Sequence, residues 1–183
     1  MSNEVWKTFE DNAISHSAAH YLMTIKNLLD DNGYARVTDI AKRLNITRGS
    51  CSISLKPLKK RGLVVEDENR FLLLSEEGRR LAEMVEMNDE LLESLFSEVL
   101  GVSQEQAEID ACKIEHLLSI ETSLALANFI RLWKSGDAAV QKMQQSMRDN
   151  QLTCNHDVES CKICHSVCIT SAVDAVGDEP NAD

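Results

Sequence analysis

At 183 residues, with 43% hydrophobic and 27% charged side chains, the chain has room for one or two small domains and the composition of an ordinary globular protein. No apolar run approaches the roughly 18 residues of a membrane span, and the N-terminus lacks the basic-then-apolar pattern of an export signal. A cytosolic chain is therefore expected. A net charge of −11 argues against general affinity for nucleic acid, but the charge is unevenly spread.

Residues 36–70 carry nine basic and four acidic groups, whereas residues 71–136 carry five and thirteen. A basic island in an acidic chain can grip phosphate backbone while the remainder limits non-specific attraction. In the cytosol, six cysteines are better suited to metal or redox work than to structural disulfides.

Residues 1–13 are polar, with scattered Trp6 and Phe9, and are expected to form a loosely held arm. From Ile14 the spacing of Ile14, Ala18, Tyr21, Leu22, Ile25 and Leu28 predicts a helix that stops at Asn32-Gly33. His16, His20 and Met23 lie on or beside one stripe of it; taken singly, each is explained as packing or surface. Thr38 is the expected N-cap of a short second helix with Ile40, Ala41 and Leu44 inside. Thr47 is the expected cap of a third that runs to Arg61 before Gly62.

Two short helices around a tight turn, the second polar, predict a helix-turn-helix. Thr47, Arg48, Gly49, Ser50, Ser52, Ile53 and Lys56, with Lys59 and Lys60 beyond, form its candidate nucleic-acid face. The serines and Arg48 suit base edges, and the lysines suit phosphates. A packed helical pair with a solvated basic end is the plainer alternative. Pro57 lacks the N–H that would reach the Ile53 carbonyl, so the helix is expected to kink or split there. The apolar runs at 63–65 and 71–74 flank Glu66-Asp67-Glu68-Asn69-Arg70 and predict a hairpin, the wing of a winged helix. Its tip is acidic except for Arg70, so little phosphate affinity is expected from it.

Ser75 is the expected cap of a long helix with Leu81, Met84, Val85, Leu91, Leu92, Leu95, Phe96 and Val99 as its apolar stripe, ending at Gly101. Asp89 and Glu93 sit four apart on a flank, where a solvated pair is the ordinary reading. A further helix from about Ser103 to Ser119 carries Cys112, Glu115 and His116 at i, i+3 and i+4. On one helix face these side chains aim a thiolate, a carboxylate and an imidazole at one point, a donor set for iron, manganese or zinc. Glu108 extends that face by a turn. Acidic amphipathic helices also produce such trios without binding anything. The next helix is expected to place Leu124, Phe129, Ile130 and Trp133 inside. So many apolar faces in a small chain predict a homodimer.

After a short amphipathic segment with Val140, Met143 and Met147 comes a tail with Cys154, His156, Cys161, Cys164, His165 and Cys168. Four cysteines and two histidines in fifteen residues favour metal or cluster binding over free thiols, with Zn(II) first and an iron–sulfur cluster second. Cys161–His165 also fits the haem-attachment pattern CxxCH, which requires export.

The stretches AHYLMTIKNLL, GYARVTDIAKRLNITRGSCSISLKPLKKRGLV, LSEEGRRLAE and above all DACKIEHLLS resemble the diphtheria-toxin-repressor/manganese-repressor (DtxR/MntR) family, over about two thirds of the chain. The resemblance implies a mainly α fold: an N-terminal winged helix-turn-helix and an all-helical dimerisation and metal-binding domain. The corresponding divisions are an arm at 1–13, a winged helix at 14–75, a helical domain at 76–136 and a tail at 137–183.

By position, it implies Cys112, Glu115 and His116 as metal ligands, and His20 where the family usually has Met or Asp. Met23 falls where manganese regulators have Glu, and Asp89 where His is common. Glu93 and Glu108 fall on an ancillary site whose last member is normally His. Nothing here resembles the SH3-like barrel that iron-type members usually add after the dimerisation domain; the cysteine tail occupies its place.

The function so implied is a cytosolic homodimer that binds a palindromic operator in double-stranded DNA, not RNA, when loaded with Fe(II) or Mn(II), and represses metal-uptake genes. A winged-helix regulator switched by oxidation or cluster loss in the tail is the second reading. A small metalloenzyme built on Cys112 is the third, and no nucleophile or substrate-binding pattern supports it.

Overall fold

The structure is a computed structural model that describes residues 14–149. The expected arm at 1–13 and the six tail positions Cys154, His156, Cys161, Cys164, His165 and Cys168 lie outside the described residues. The chain divides into two compact units between Ser135 and Gly136.

Helix α1 spans His16–Asn32. The Ser15 hydroxyl accepts from the Ala18 N–H at its start, and Gly33, at φ 77°, ends it by donating to the Leu29 carbonyl. Ala19, Leu22, Ile25 and Leu28 are buried on one side. His16, His20 and Met23 therefore fall on the other side by helical periodicity.

Helix α2 spans Val37–Arg43. It starts two residues earlier than expected, so Thr38 lies inside the first turn and Arg36 takes the cap position without a side-chain cap. The tertiary structure sets that start. The Ala35 carbonyl accepts from the Leu72 N–H at 2.8 Å, which holds the entry extended against the hairpin. Helix α3, Arg48–Lys60, begins at Thr47, whose hydroxyl accepts from the Ser50 N–H. The expected split at Pro57 does not occur, and α3 runs unbroken to Lys60. Pro57 is one turn from the end on an exposed face beside Ile53, which is 66% exposed, so water can meet the orphaned Ile53 carbonyl.

Strands β1 (Val64–Glu66) and β2 (Leu72–Leu74) pair antiparallel, with Val64 opposite Leu74. In the turn between them, the Asp67 carboxylate accepts from the Asn69 and Phe71 N–H groups at 2.9 and 2.7 Å. Helix α4, Glu76–Ser94, opens on Ser75. Its buried stripe is Gly78, Ala82, Val85, Asn88 and Leu92, smaller and more polar than the leucine-rich stripe expected. Leu81, Met84 and Leu91 are only half-buried. Gly78 explains the fit: a Cβ there would come within 2.1 Å of the Leu63 carbonyl oxygen, so only glycine lets α4 lie against the hairpin. The helix loosens into a π turn at Leu95–Val99 before Gly101.

Helix α5 spans Gln104–Ile114 and is capped by Ser103. It ends sooner than expected. Ile114 leaves helical geometry (φ −125°, ψ −8°), and Glu115–Leu117 form a single 3₁₀ turn. Cys112, Glu115 and His116 thus do not share one α-helical face. Helix α6, Ile120–Trp133, buries Ser123, Ile130 and Trp133. Contrary to expectation, Leu124 is 58% exposed and Phe129 also lies open, with Ile120 at 66% and Leu132 exposed beside them. One apolar core runs from Ile14, just ahead of α1, through α1, α2, α3 and the hairpin to Ala82 and Val85 of α4. In the second unit, α7 (Ala138–Asp149) starts on the Asp137 carboxylate, which accepts from the Ala139 N–H at 2.8 Å. No helix among the described residues is long and apolar enough to cross a membrane.

Candidate metal centre and nucleic-acid interface

The centre forms where α1 meets α4 and the end of α5. Glu115 anchors it. Its side chain is only 1% exposed, because the break after Ile114 turns it inward. The buried Asn88 amide donates to the Glu115 backbone carbonyl at 2.8 Å and pins that turn to α4. Asn88 stood in no sequence motif; a polar residue at a stripe position of α4 was the only signal.

Cys112 Sγ lies 3.3 Å from His20 Nε2, and the same nitrogen lies 3.7 Å from Glu115 Oε1. That carboxylate oxygen is buried and has no hydrogen-bond partner. Ligand atoms of His16, His20, Cys112 and Glu115 all fall within 4.8 Å of one another, and this is the one such cluster among the described residues. His16 was read in the sequence as packing or surface, although it stands four residues before His20 on the same stripe. Its ring meets the rings of His20 and His116 at 4.4 and 5.2 Å between centroids.

The other anticipated ligands surround this cluster. Asp89 hydrogen-bonds with Glu115. His116 stands beside His16, and its Nδ1 is buried without a partner. Met23 packs against the hydrophobic core. Glu93 is half-buried within the field of Asp89 and Glu108, while Glu108 is exposed and accepts from the Gln104 amide at 3.0 Å.

The electrostatics push charge out of the centre. Burial first, then the Asp89 charge and its hydrogen bond, push the Glu115 carboxyl up to about 8. Burial raises Asp89 as well. Glu93 is raised by burial, then by Asp89 and Glu108. Burial, then His16, hold His20 and His116 below the ordinary imidazole value. Burial, then Glu115 and Asp89, raise the Cys112 thiol. Several acids and a thiol thus crowd a buried pocket, with neutral imidazoles beside them and one carboxylate oxygen unpartnered. A divalent cation would reverse the upward shifts of the acids and the thiol and would favour imidazoles that are already held neutral, so the residues fit such an ion.

On the far side of the winged helix, α3 offers Arg48, Gly49, Ser50, Ser52, Ile53, Lys56 and Lys60, all exposed. Local bonds occupy some of these groups: Thr47 Oγ1 lies 2.9 Å from Ser50 Oγ, and the Ser52 hydroxyl donates to the Arg48 carbonyl. Lys59 is half-buried and ion-paired with Glu66. Arg48, Ser52, Lys56 and Lys59 line an open cleft of about 570 Å³ whose other wall includes Arg36, Asn69 and Arg70. From the wing, Arg70 (φ 63°) and Asn69 face the same cleft as the helix. Arg36 was also missed. Its guanidinium is held 4.5 Å over the Phe71 ring, a contact between residues 35 positions apart.

Comparison with known proteins agrees in order and extent. The family "Iron dependent repressor, N-terminal DNA binding domain" matches residues 13–71, and "Iron dependent repressor, metal binding and dimerisation domain" matches residues 75–135. The HTH-type transcriptional regulator MntR of Lysinibacillus sphaericus is 30% identical over 136 residues, covering 74% of this chain and 97% of its own length. MntR of Oceanobacillus iheyensis is 28% identical over 143 residues, covering 78% and 97%.

Among solved structures, T. acidophilum IdeR aligns with a TM-score of 0.51 at 25% identity over 63% of this chain and 54% of its own. The manganese regulator SloR aligns at 0.57 and 22% identity over 64% and 55%, a likeness of fold. With a DNA-binding and a metal-binding dimerisation domain matched in sequence, and a relative covered almost end to end, the chain belongs to the DtxR/MntR family of metal-dependent transcriptional repressors.

Proposed function

We propose that this chain is a cytoplasmic homodimeric repressor of metal-uptake genes that binds a palindromic operator when loaded with Fe(II) or Mn(II). The divisions proposed are an arm at 1–13, the winged helix at 14–75, the helical domain at 76–136 and the tail at 137–183. The observation that carries the reading is the placement of one buried, half-orphaned carboxylate. Glu115, behind α5, faces His20 of α1, and α1 belongs to the core that also holds α3.

His20, Cys112 and Glu115 would hold the ion, with Asp89, His116 and Met23 as the remaining candidates and Glu93 and Glu108 as an ancillary pair. A bound ion would supply the positive charge that lets these acids and the thiol ionise together. The protein's own part is positional. His20 sits on the helix whose opposite side packs into the winged-helix core, so tying His20 to Cys112 and Glu115 fixes the set of α3 relative to the dimerisation helices. In a two-fold dimer that sets whether both α3 helices meet major grooves about 34–36 Å apart.

A coupling of about 1–3 kcal/mol changes operator affinity roughly 5–150-fold. Gel-shift titrations on operator DNA, with chelator and with each ion, test this. Tightening within that range is expected; equal affinity in both conditions overturns it.

The density of Cys154, His156, Cys161, Cys164, His165 and Cys168 supports a second sensor that takes Zn(II) or an iron–sulfur cluster. Replacing Cys161 and Cys164 by Ser should then alter repression under oxidant. Unchanged behaviour removes the tail from the switch.

A further inference from the structure

We propose that His16 is a metal ligand, and that His16, His20, Cys112 and Glu115 together form a four-coordinate site selective for zinc-like ions, Zn(II), Co(II) and Fe(II), over Mn(II). The inference rests on the metal-regulated reading above and changes its ligand set and ion preference.

Three observations carry it. First, two histidines at i and i+4 on one helix face make a chelating pair, and α1 begins at His16, so the pair occupies its first turns. Second, the ligand atoms of these four residues lie within 4.8 Å of one another although they come from α1, α5 and the turn after α5. Third, the most buried member offers a carboxylate oxygen with no other partner, so the cluster is not a satisfied hydrogen-bond network.

The donors are two nitrogens, one sulfur and one oxygen. That set suits tetrahedral zinc-like ions, while Mn(II) prefers a shell of carboxylate, carbonyl and water oxygens.

The test uses the full-length chain with Cys154, Cys161, Cys164 and Cys168 changed to Ser, so that only Cys51 and Cys112 remain as thiols. Co(II) is titrated in under anaerobic conditions and followed by absorption. Competition with Zn(II) and Mn(II) gives relative affinities. The intense visible bands of four-coordinate cobalt and a thiolate charge-transfer band are expected.

Cys112→Ser should abolish the charge-transfer band. His16→Ala should weaken Co(II) and Zn(II) binding by more than the roughly 10-fold lower bound for losing an outer-shell partner, and should replace the intense bands by weak ones. His16 is exposed, so its removal leaves no buried gap to unfold the protein. If His16→Ala matches its parent in spectrum and affinity while Cys112→Ser loses its band, His16 is not a ligand and the metal-regulated reading stands. If Mn(II) displaces Co(II) at equal concentration, the selectivity is overturned. If no form of the protein binds any of these ions, the metal-regulated reading itself falls.

Discussion

Glu115 shows how one side chain can govern the behaviour of the metal-free protein. Its folded-state carboxyl is pushed up to about 8 by burial and Asp89. Between the ordinary glutamate value and that point, the folded chain holds a proton that the unfolded chain has released. The metal-free protein should therefore be most stable below the unfolded value and lose stability as pH rises through the folded one. The loss is expected to be on the order of a few kcal/mol at most. Urea unfolding in chelator across that range should show the decline, and Glu115→Gln should flatten it. A midpoint that rises with pH would contradict the assignment.

Asn88 is the second decisive residue. Asn88→Ala leaves the buried Glu115 carbonyl without its donor, at a cost of about 1–3 kcal/mol. By loosening the turn that carries the ligand, it should also weaken ion binding by roughly 10–100-fold. Chemical denaturation and competition titration read the two effects separately.

At the scale of elements, the contact between α4 and the hairpin is the tightest constraint. Gly78→Ala gains about 1 kcal/mol of helix propensity. The new methyl group meets the Leu63 carbonyl oxygen, which also accepts from the Ser75 N–H and so cannot move freely. Overpacking of about 1–3 kcal/mol should win, so a net fall in the unfolding midpoint is expected. A rise would show that α4 can shift.

Helix ends were largely readable in the sequence. Ser15, Thr47, Ser75, Ser103 and Ser119 each accept a backbone N–H from the first turn of their helix. The start of α2 and the end of α5 were not readable, because non-local bonds set them. Leu72 holds the entry to α2, and Asn88 holds the turn after Ile114.

Across the whole molecule, two surfaces carry the regulatory reading. Ile120, Leu124, Phe129 and Leu132 leave α6 with an open apolar face within a domain that belongs to a dimerising family. Leu124→Asp should shift sedimentation towards monomer, since burying an unpaired charge in an interface costs more than the ~2 kcal/mol of a typical hot spot. An unchanged dimer would place the interface elsewhere. On the basic face, Arg36 is held by Phe71 at the edge of the α3–wing cleft. Arg36→Ala should weaken DNA binding about equally across sequences and reduce the salt slope by about one. Arg48→Ala should instead relax discrimination between operators.

Local periodicity and capping chemistry were enough for the winged helix and the long helix, because helices and turns are specified by neighbours a few residues apart; the family and most of the expected ligand roles came from the resemblance of whole stretches. Only the tertiary structure decided which potential ligands converge. His16 and Cys112 are 96 positions apart. The inward turn of Glu115 depends on an amide from Asn88, 27 residues earlier. The physical reason is the same in each case. A donor set is defined by distances of a few ångströms between side chains on different helices, and those distances follow from core packing, which spacing along the chain does not record.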